Sequence, residues 1–204
     1  MPKEMDGGEK HMTRKEQKEE RRKAILITAL TLFVEHGYHD TKITDIAKAV
    51  PMSTGLLFHY FASKEELLLE LVKMGAESTK ALNAGEAAAI PPDIFLTKFL
   101  EQLFSYAKEQ PWVFNMFVLM SQARRNGMPE EARQVALSVE SIDATAKMIK
   151  AGQKTGVFRR GDAMLLSRCF WASVQGIMEE MAMDKEMKTP DPGWIMGILL
   201  SSPK

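Results

Sequence analysis

Apolar residues recur at spacings of three and four along most of this 204-residue chain, and no segment alternates convincingly with a period of two. That pattern places one stripe of each segment on the buried side of a helix and leaves no face for a half-buried strand. The chain is therefore predicted to be all-α, with about nine helices and no sheet. A hydrophobic fraction of 45% beside 26% charged residues is enough to bury a sizeable core.

From Thr13 the chain reads as helix, with Ile25, Thr28, Ala29, Leu32, Phe33 and His36 along one side and Gly37 as the stop. Thr44 is the expected cap of a short helix through Ala49, which Pro51 ends by disfavouring helical geometry at Val50. Ser53 caps a second short helix to about Tyr60, and Ser63 a fourth that carries Leu67, Leu68 and Leu71. Gly85 and the pair Pro91-Pro92 mark a linker over 83–92. Five more helical stretches are predicted over 93–109, 111–125, 129–154, 162–185 and 192–200. On the first of these Phe95, Phe99, Leu103 and Tyr106 share a face; the second is apolar nearly all round. The expected organisation is a disordered segment 1–12, a three-helix domain with its connecting helix over 13–82, the connecting helix itself being 64–82, and a helical domain over 83–204.

Two short helices joined by a tight turn and buttressed by longer ones form a helix-turn-helix, whose second helix fits a major groove about 12 Å wide. Ile46, Ala47, Leu57 and Phe61 are spaced to pack inward. Thr54, Gly55, Leu56, His59 and Tyr60 are left outward. Gly55 lets a backbone approach a phosphate, Tyr60 offers it a hydroxyl, and Lys64 opens a helix where amides and ammonium together favour an anion. Residues 10 to 64 hold ten Lys or Arg against six Asp or Glu, and residues 65 to 204 hold sixteen against eighteen. A basic first quarter suits phosphate contact at one end. The run Arg14, Lys15, Lys18, Arg21, Arg22, Lys23 is equally consistent with helix-surface ion pairing to Glu16, Glu19 and Glu20.

The segments Thr44-Asp45-Ile46-Ala47, Met52-Ser53-Thr54-Gly55, Phe58-His59-Tyr60-Phe61 and Ser63-Lys64-Glu65-Glu66-Leu67 together resemble the DNA-binding signature of the tetracycline-repressor (TetR) family. The resemblance covers 24–71, about a quarter of the chain. It implies a homodimeric, ligand-responsive repressor, released from palindromic double-stranded operator DNA by a small molecule in the C-terminal domain. By position it implies that Thr44, Thr54, Gly55 and Leu56, with the cap Ser53, face the operator, and that His59, Tyr60 and Lys64 hold phosphates. Pro51 stands where the family often has Gly. Leu56 replaces a small polar residue and offers a base edge only apolar contact, as to a thymine methyl.

In the C-terminal part, Phe99, Leu103, Trp112, Met116, Phe117, Met120, Met148 and Trp171 are adaptable apolar side chains suited to lining a pocket for a hydrophobic effector, with Asn115 and Gln175 as polar partners. The same residues are equally the makings of a core. Ala172, Ser173 and Gly176, with Ile195, Ile198 and Leu199 on the last helix, are the expected dimer surface. Nothing indicates an enzyme. His36 and His39 lack a third ligand for a metal, no phosphate loop or nucleophile triad is visible, no cofactor is implied, and Cys169 is a lone thiol. No apolar run reaches the roughly 18 residues of a membrane span, and the expected setting is the cytoplasm.

Overall fold

The computed structural model describes residues 12–80 and 90–201, with side chains described for all of these but 79 and 80. The expected disordered segment (save Met12), the 82/83 boundary and most of the linker lie outside them. Among the described residues the chain is helical without strands. The helices run α1 Arg14–His36, α2 Ile43–Ala49, α3 Thr54–Phe58, α4 Lys64–Lys80, α5 Pro92–Glu109, α6 Trp112–Ala123, α7 Glu130–Leu137, α8 Ser141–Thr155, α9 Ala163–Met183 and α10 Pro192–Met196.

Most ends follow the local chemistry. Thr13 caps α1 in a reciprocal box with Glu16, and Asp162 caps α9 by accepting from the amides of Met164 and Leu165. The stretch expected as one helix over 129–154 is two. Ser138 takes bonds from its own backbone N–H and hydroxyl to the carbonyls at the end of α7, and the chain turns before restarting at Ser141. The break lets α7 pack on α4 while α8 packs on α9.

The buried side of α5 is also one residue round from expectation. Leu96, Leu100, Phe104 and Ala107 are buried, whereas Phe95, Phe99 and Leu103 only flank the core and Tyr106 is half exposed. Both stripes have helical spacing, so periodicity alone does not choose between them.

Two apolar clusters share α6. One gathers Ile25, Leu30, Phe33, Ile46, Leu57, Phe61 and Leu68 with Met116 and Leu119 of α6 and Ala132 and Ala136 of α7. The other gathers Leu96, Leu100, Phe104, Ile149, Phe170 and Val174 with Val113 and Phe114 of α6. The N-terminal helices therefore complete their core with α6 and α7, across the expected division at 82/83. Close crossings rely on glycine. A Cβ at Gly75 of α4 would stand 2.6 Å from the Met120 sulfur, and one at Gly152 of α8 would stand 2.3 Å from the Phe158 ring. Phe158 is fully buried and its segment is tied to the C-terminal strip by the amide of Arg159 on the carbonyl of Leu199 at 2.8 Å. The ring has little room to move. Gly152→Ala should therefore destabilise the fold by about 2 kcal/mol, read as a lower urea midpoint at unchanged slope; an unchanged midpoint would show that the ring relaxes freely.

Candidate nucleic-acid interface

Helix α3 is five residues long, and one side chain, Leu57, is wholly buried from it. Ser53 caps it by accepting from the Leu56 amide at 3.2 Å. Inward anchoring through Leu57, then Phe61, leaves Gly55, Leu56, Phe58 and His59 exposed, with Thr54 and Tyr60 half-buried. The Tyr60 hydroxyl has no hydrogen-bond partner among the described residues. A Cβ built at Gly55 would meet nothing within 4 Å. The fold itself thus has no steric need of glycine there, although glycine in a helix costs about 0.5–1 kcal/mol relative to alanine. Phe58, 48% exposed, was not singled out from the sequence, where an aromatic beside Leu57 reads as core. Lys42 and Lys48, exposed at the start and end of α2, were likewise missed.

Two placements, those of Thr44 and Lys64, correct the sequence reading. Thr44 is exposed but lies within α2, which begins at Ile43 after Lys42; the Lys42 amide donates to Asp45 Oδ2 at 3.2 Å. Pro51 sits at φ +21°, the side of the backbone map that glycine favours and far from the about −65° at which the proline ring is relaxed. Lys64 is not free for a phosphate. Its Nζ donates to the carbonyls of Tyr38, His39 and Thr41 at 2.8, 3.3 and 2.9 Å, and lies 4.4 Å from the Tyr38 ring centre. An ammonium has three protons, and all three have acceptors here. Part of the start of α4 is likewise committed within the chain. Ser63 Oγ accepts from the Glu66 amide, and Glu66 accepts from the Ala62 amide.

Lys64 instead fixes the loop between α1 and α2. The buried Thr41 hydroxyl donates to the carbonyls of Gly37 and Leu32, and the Tyr38 hydroxyl donates to Glu65 Oε1 at 3.1 Å. Burial pushes the Tyr38 phenol far above its usual range, and the bond to Glu65 and that carboxylate's charge push it further. Glu65 is held below the usual carboxylate range, first by its own backbone amide, then by Tyr38, Ser63 and Lys64. Arg22 is committed too: it pairs with Glu70 at 2.6 Å and lies 4.9 Å over the Phe61 ring.

The apolar residues expected to line an effector pocket divide between the two apolar clusters. Met116 and Met120 belong to the first cluster, and Phe99, Leu103, Phe117, Met148 and Trp171 flank the second. Trp171 Nε1 donates to Thr145 Oγ1 and the Ser141 carbonyl, and Gln175 Nε2 to the Phe117 carbonyl and Glu179. Asn115 is half-buried. A cleft of about 730 Å³ opens instead between α4, α6 and α7, lined by Lys73, Met74, Trp112 and Val135 among others; of the expected pocket residues only Trp112 reaches it. On the expected dimer surface, Ala172 and Gly176 are exposed and Ser173 half-buried on α9. Ile195 and Leu199, however, are buried at 3% and 0% in the chain's own second core, where α10 meets α5, and Ile198 flanks it. An apolar terminal helix looks the same in sequence whether it covers its own chain or another.

This geometry defines a helix-turn-helix protein with an exposed second helix on an all-helical body. Residues 25–71 match the family described as bacterial regulatory proteins, tetR family. Over 55 residues the chain is 44% identical to the HTH-type transcriptional regulator HbdR of Aromatoleum sp., covering 27% of this chain and 24% of that one. It is 25% identical over 156 residues to the HTH-type transcriptional regulator RutR of Escherichia coli O157:H7, covering 76% and 72%. The structure of AibR in complex with isovaleryl coenzyme A and operator DNA superposes with a TM-score of 0.67 at 19% identity, covering 87% of this chain and 95% of that one. The matched stretch thus spans about a quarter of HbdR, while RutR and AibR are matched over most of their length. The family match is confined to 25–71, which holds the helix-turn-helix and the start of α4, and the likeness to solved structures over the rest of the chain, at 19% identity for AibR, is one of fold.

Removing the Lys64 ammonium while keeping an apolar stem, in Lys64→Met, should lower stability by about 2 kcal/mol, measured by urea unfolding; a variant as stable as wild type would return the lysine to the list of phosphate contacts. Because the Glu65 carboxyl is held low, its ionised form stabilises the fold above the ordinary carboxylate range, and that contribution fades as pH falls through the lowered value. Glu65→Gln should therefore lose more melting temperature at pH 7 than at pH 3, and equal losses at both would contradict the assignment.

Proposed function

We propose that the chain is a transcriptional regulator, a ligand-responsive homodimeric repressor that places α3 in the major groove of a palindromic operator. The observation that carries this reading is α3 itself. It is held from beneath by Leu57 while Gly55, Leu56, Phe58 and His59 face out, and the glycine has no steric reason within the chain. Thr44, Ser53, Thr54, Gly55, Leu56, His59 and Tyr60 make up the proposed DNA-facing set, to which Phe58, Lys42 and Lys48 are added and from which Lys64 is removed. Leu56 and Phe58 suit thymine methyls and sugar edges; His59, the free Tyr60 hydroxyl and the two lysines suit phosphates. A homodimer with its two α3 helices about 34–36 Å apart would read successive half-sites. Ala172, Ser173 and Gly176 are the part of the expected interface that α9 leaves open. AibR is named in complex with both isovaleryl coenzyme A and operator DNA, which supports a small effector for this chain as well, a hydrophobic one received among Phe99, Leu103, Phe117, Met148 and Trp171 with Asn115. Among the described residues no helix is long and apolar enough to cross a membrane; regulation of a bacterial operator would place the chain in the cytoplasm.

The test is binding to a DNA fragment recovered by selection from a genomic library, against a scrambled fragment, with sedimentation for the dimer. Wild type should sediment at about twice 22.9 kDa and prefer the selected fragment by about 10³-fold or more. Leu56→Ala and His59→Ala should each lose about tenfold or more on the selected fragment, corresponding to about 1–3 kcal/mol, at unchanged melting temperature because both side chains are exposed. Equal binding to both fragments, indifferent to these variants, would reject the regulator reading.

A further inference from the structure

Helix α1 is longer than its packing requires. Its first fully buried residue is Ile25, and 12–21, 23 and 24 are exposed, so about 16 Å of helix stands outside the core. This free part is not helical by default of contacts: Thr13 and Glu16 cap it, with the Glu16 carboxylate accepting from the Thr13 amide at 2.7 Å. Its charges are sorted by side. At about 100° per residue, Arg14, Lys15, Lys18 and Arg21 fall within an arc of roughly 120°, whereas Glu16, Glu20 and Lys23 fall on the opposite side and Glu19 at the edge. Helix-surface ion pairing does not account for that sorting. Among the described residues none of the four cations makes an ion pair, and Arg14–Lys18 and Lys18–Arg21 are like-charge neighbours at spacings four and three, which weaken an isolated helix. The stripe continues the line of Arg22, which is oriented by Glu70 and lies over Phe61, three residues beyond the end of α3. The cationic side of the free helix thus leads away from the point where Arg22 meets Phe61.

We infer that the free turns of α1 lie along the phosphate backbone flanking the groove that α3 enters, with Arg14, Lys15, Lys18 and Arg21 as a sequence-independent clamp on duplex DNA. The inference rests on the DNA-binding reading above and adds to it a partner surface outside the helix-turn-helix. Four cations without an ion-pair partner among the described residues, ordered on one side of a capped helix, form a charged face that a run of duplex phosphates would neutralise. Contacts of this kind raise affinity for every sequence alike and make binding steeply salt-dependent, because each neutralised phosphate releases counterions.

The experiment measures dissociation constants on the selected and the scrambled duplex across a salt series, for wild type, the fourfold variant Arg14→Gln/Lys15→Gln/Lys18→Gln/Arg21→Gln, and the single variants Lys18→Gln and Lys23→Gln. Circular dichroism confirms that each keeps its helix. The fourfold variant should weaken binding to both duplexes by a similar factor, leave the preference between them unchanged, and flatten the log–log salt slope by about two to four. Lys18→Gln should flatten it by about one and Lys23→Gln, which removes the same charge from the other side, should leave it as in wild type. If the fourfold variant keeps the wild-type slope, or if Lys18→Gln and Lys23→Gln act equally, the clamp is rejected while the helix-turn-helix reading stands. If wild type itself binds neither duplex, both readings fall together.

Discussion

The fold depends on α6 being apolar on two sides. Met116 and Leu119 close the cluster under the helix-turn-helix, and Val113 and Phe114, one turn back and round, enter the cluster built from α5, α8, α9 and α10. A helix with one buried stripe ends a core; a helix with two joins cores. The N-terminal helices do not close their core by themselves: Met116 and Leu119 of α6 and Ala132 and Ala136 of α7 supply its remaining wall. The Gly75–Met120 crossing sets how closely α4 approaches that wall. Any movement of α6 must therefore be felt by α4, and through α4 by the loop and helices it supports.

Around the helix-turn-helix, the cations divide into those with internal work and those without. Lys64 donates to three loop carbonyls and Arg22 joins Glu70 to the Phe61 ring. These two fix the positions of α2 and α3 relative to α1 and α4. Lys42, Lys48 and the stripe on α1 have no such role and face outward. A count of charge cannot make that division, since the ammonium of Lys64 and that of Lys48 are identical until the carbonyls around one of them are in place. The same holds for Tyr38 and Thr41, whose hydroxyls carry the loop and whose sequence surroundings mark them as ordinary turn residues.

The C-terminal body shows the opposite case, in which apolar chemistry was clear and its partner was not. Trp171 and Gln175 have their donors committed within the chain, and Ile195 and Leu199 cover the chain's own core. Residues suited to a pocket or to an interface share their chemistry with residues that simply pack, because the hydrophobic effect has no direction and rewards any burial equally.

The sequence by itself determined the helical class, the starts of most helices, the helix-turn-helix and its outward α3, because caps, prolines and the three-four spacing act within a turn or two of the chain. It also marked α6 as apolar nearly all round. Only the tertiary structure decided which stripe of α5 turns inward, that the segment over 129–154 breaks at Ser138, that Lys64 clamps a loop, and that Ile195 and Leu199 are interior. All but the break depend on an atom more than twenty residues away or on a choice between two equally periodic faces, about which local spacing carries no information; the break is made by local bonds of Ser138, and its use is to let α7 and α8 pack on different helices.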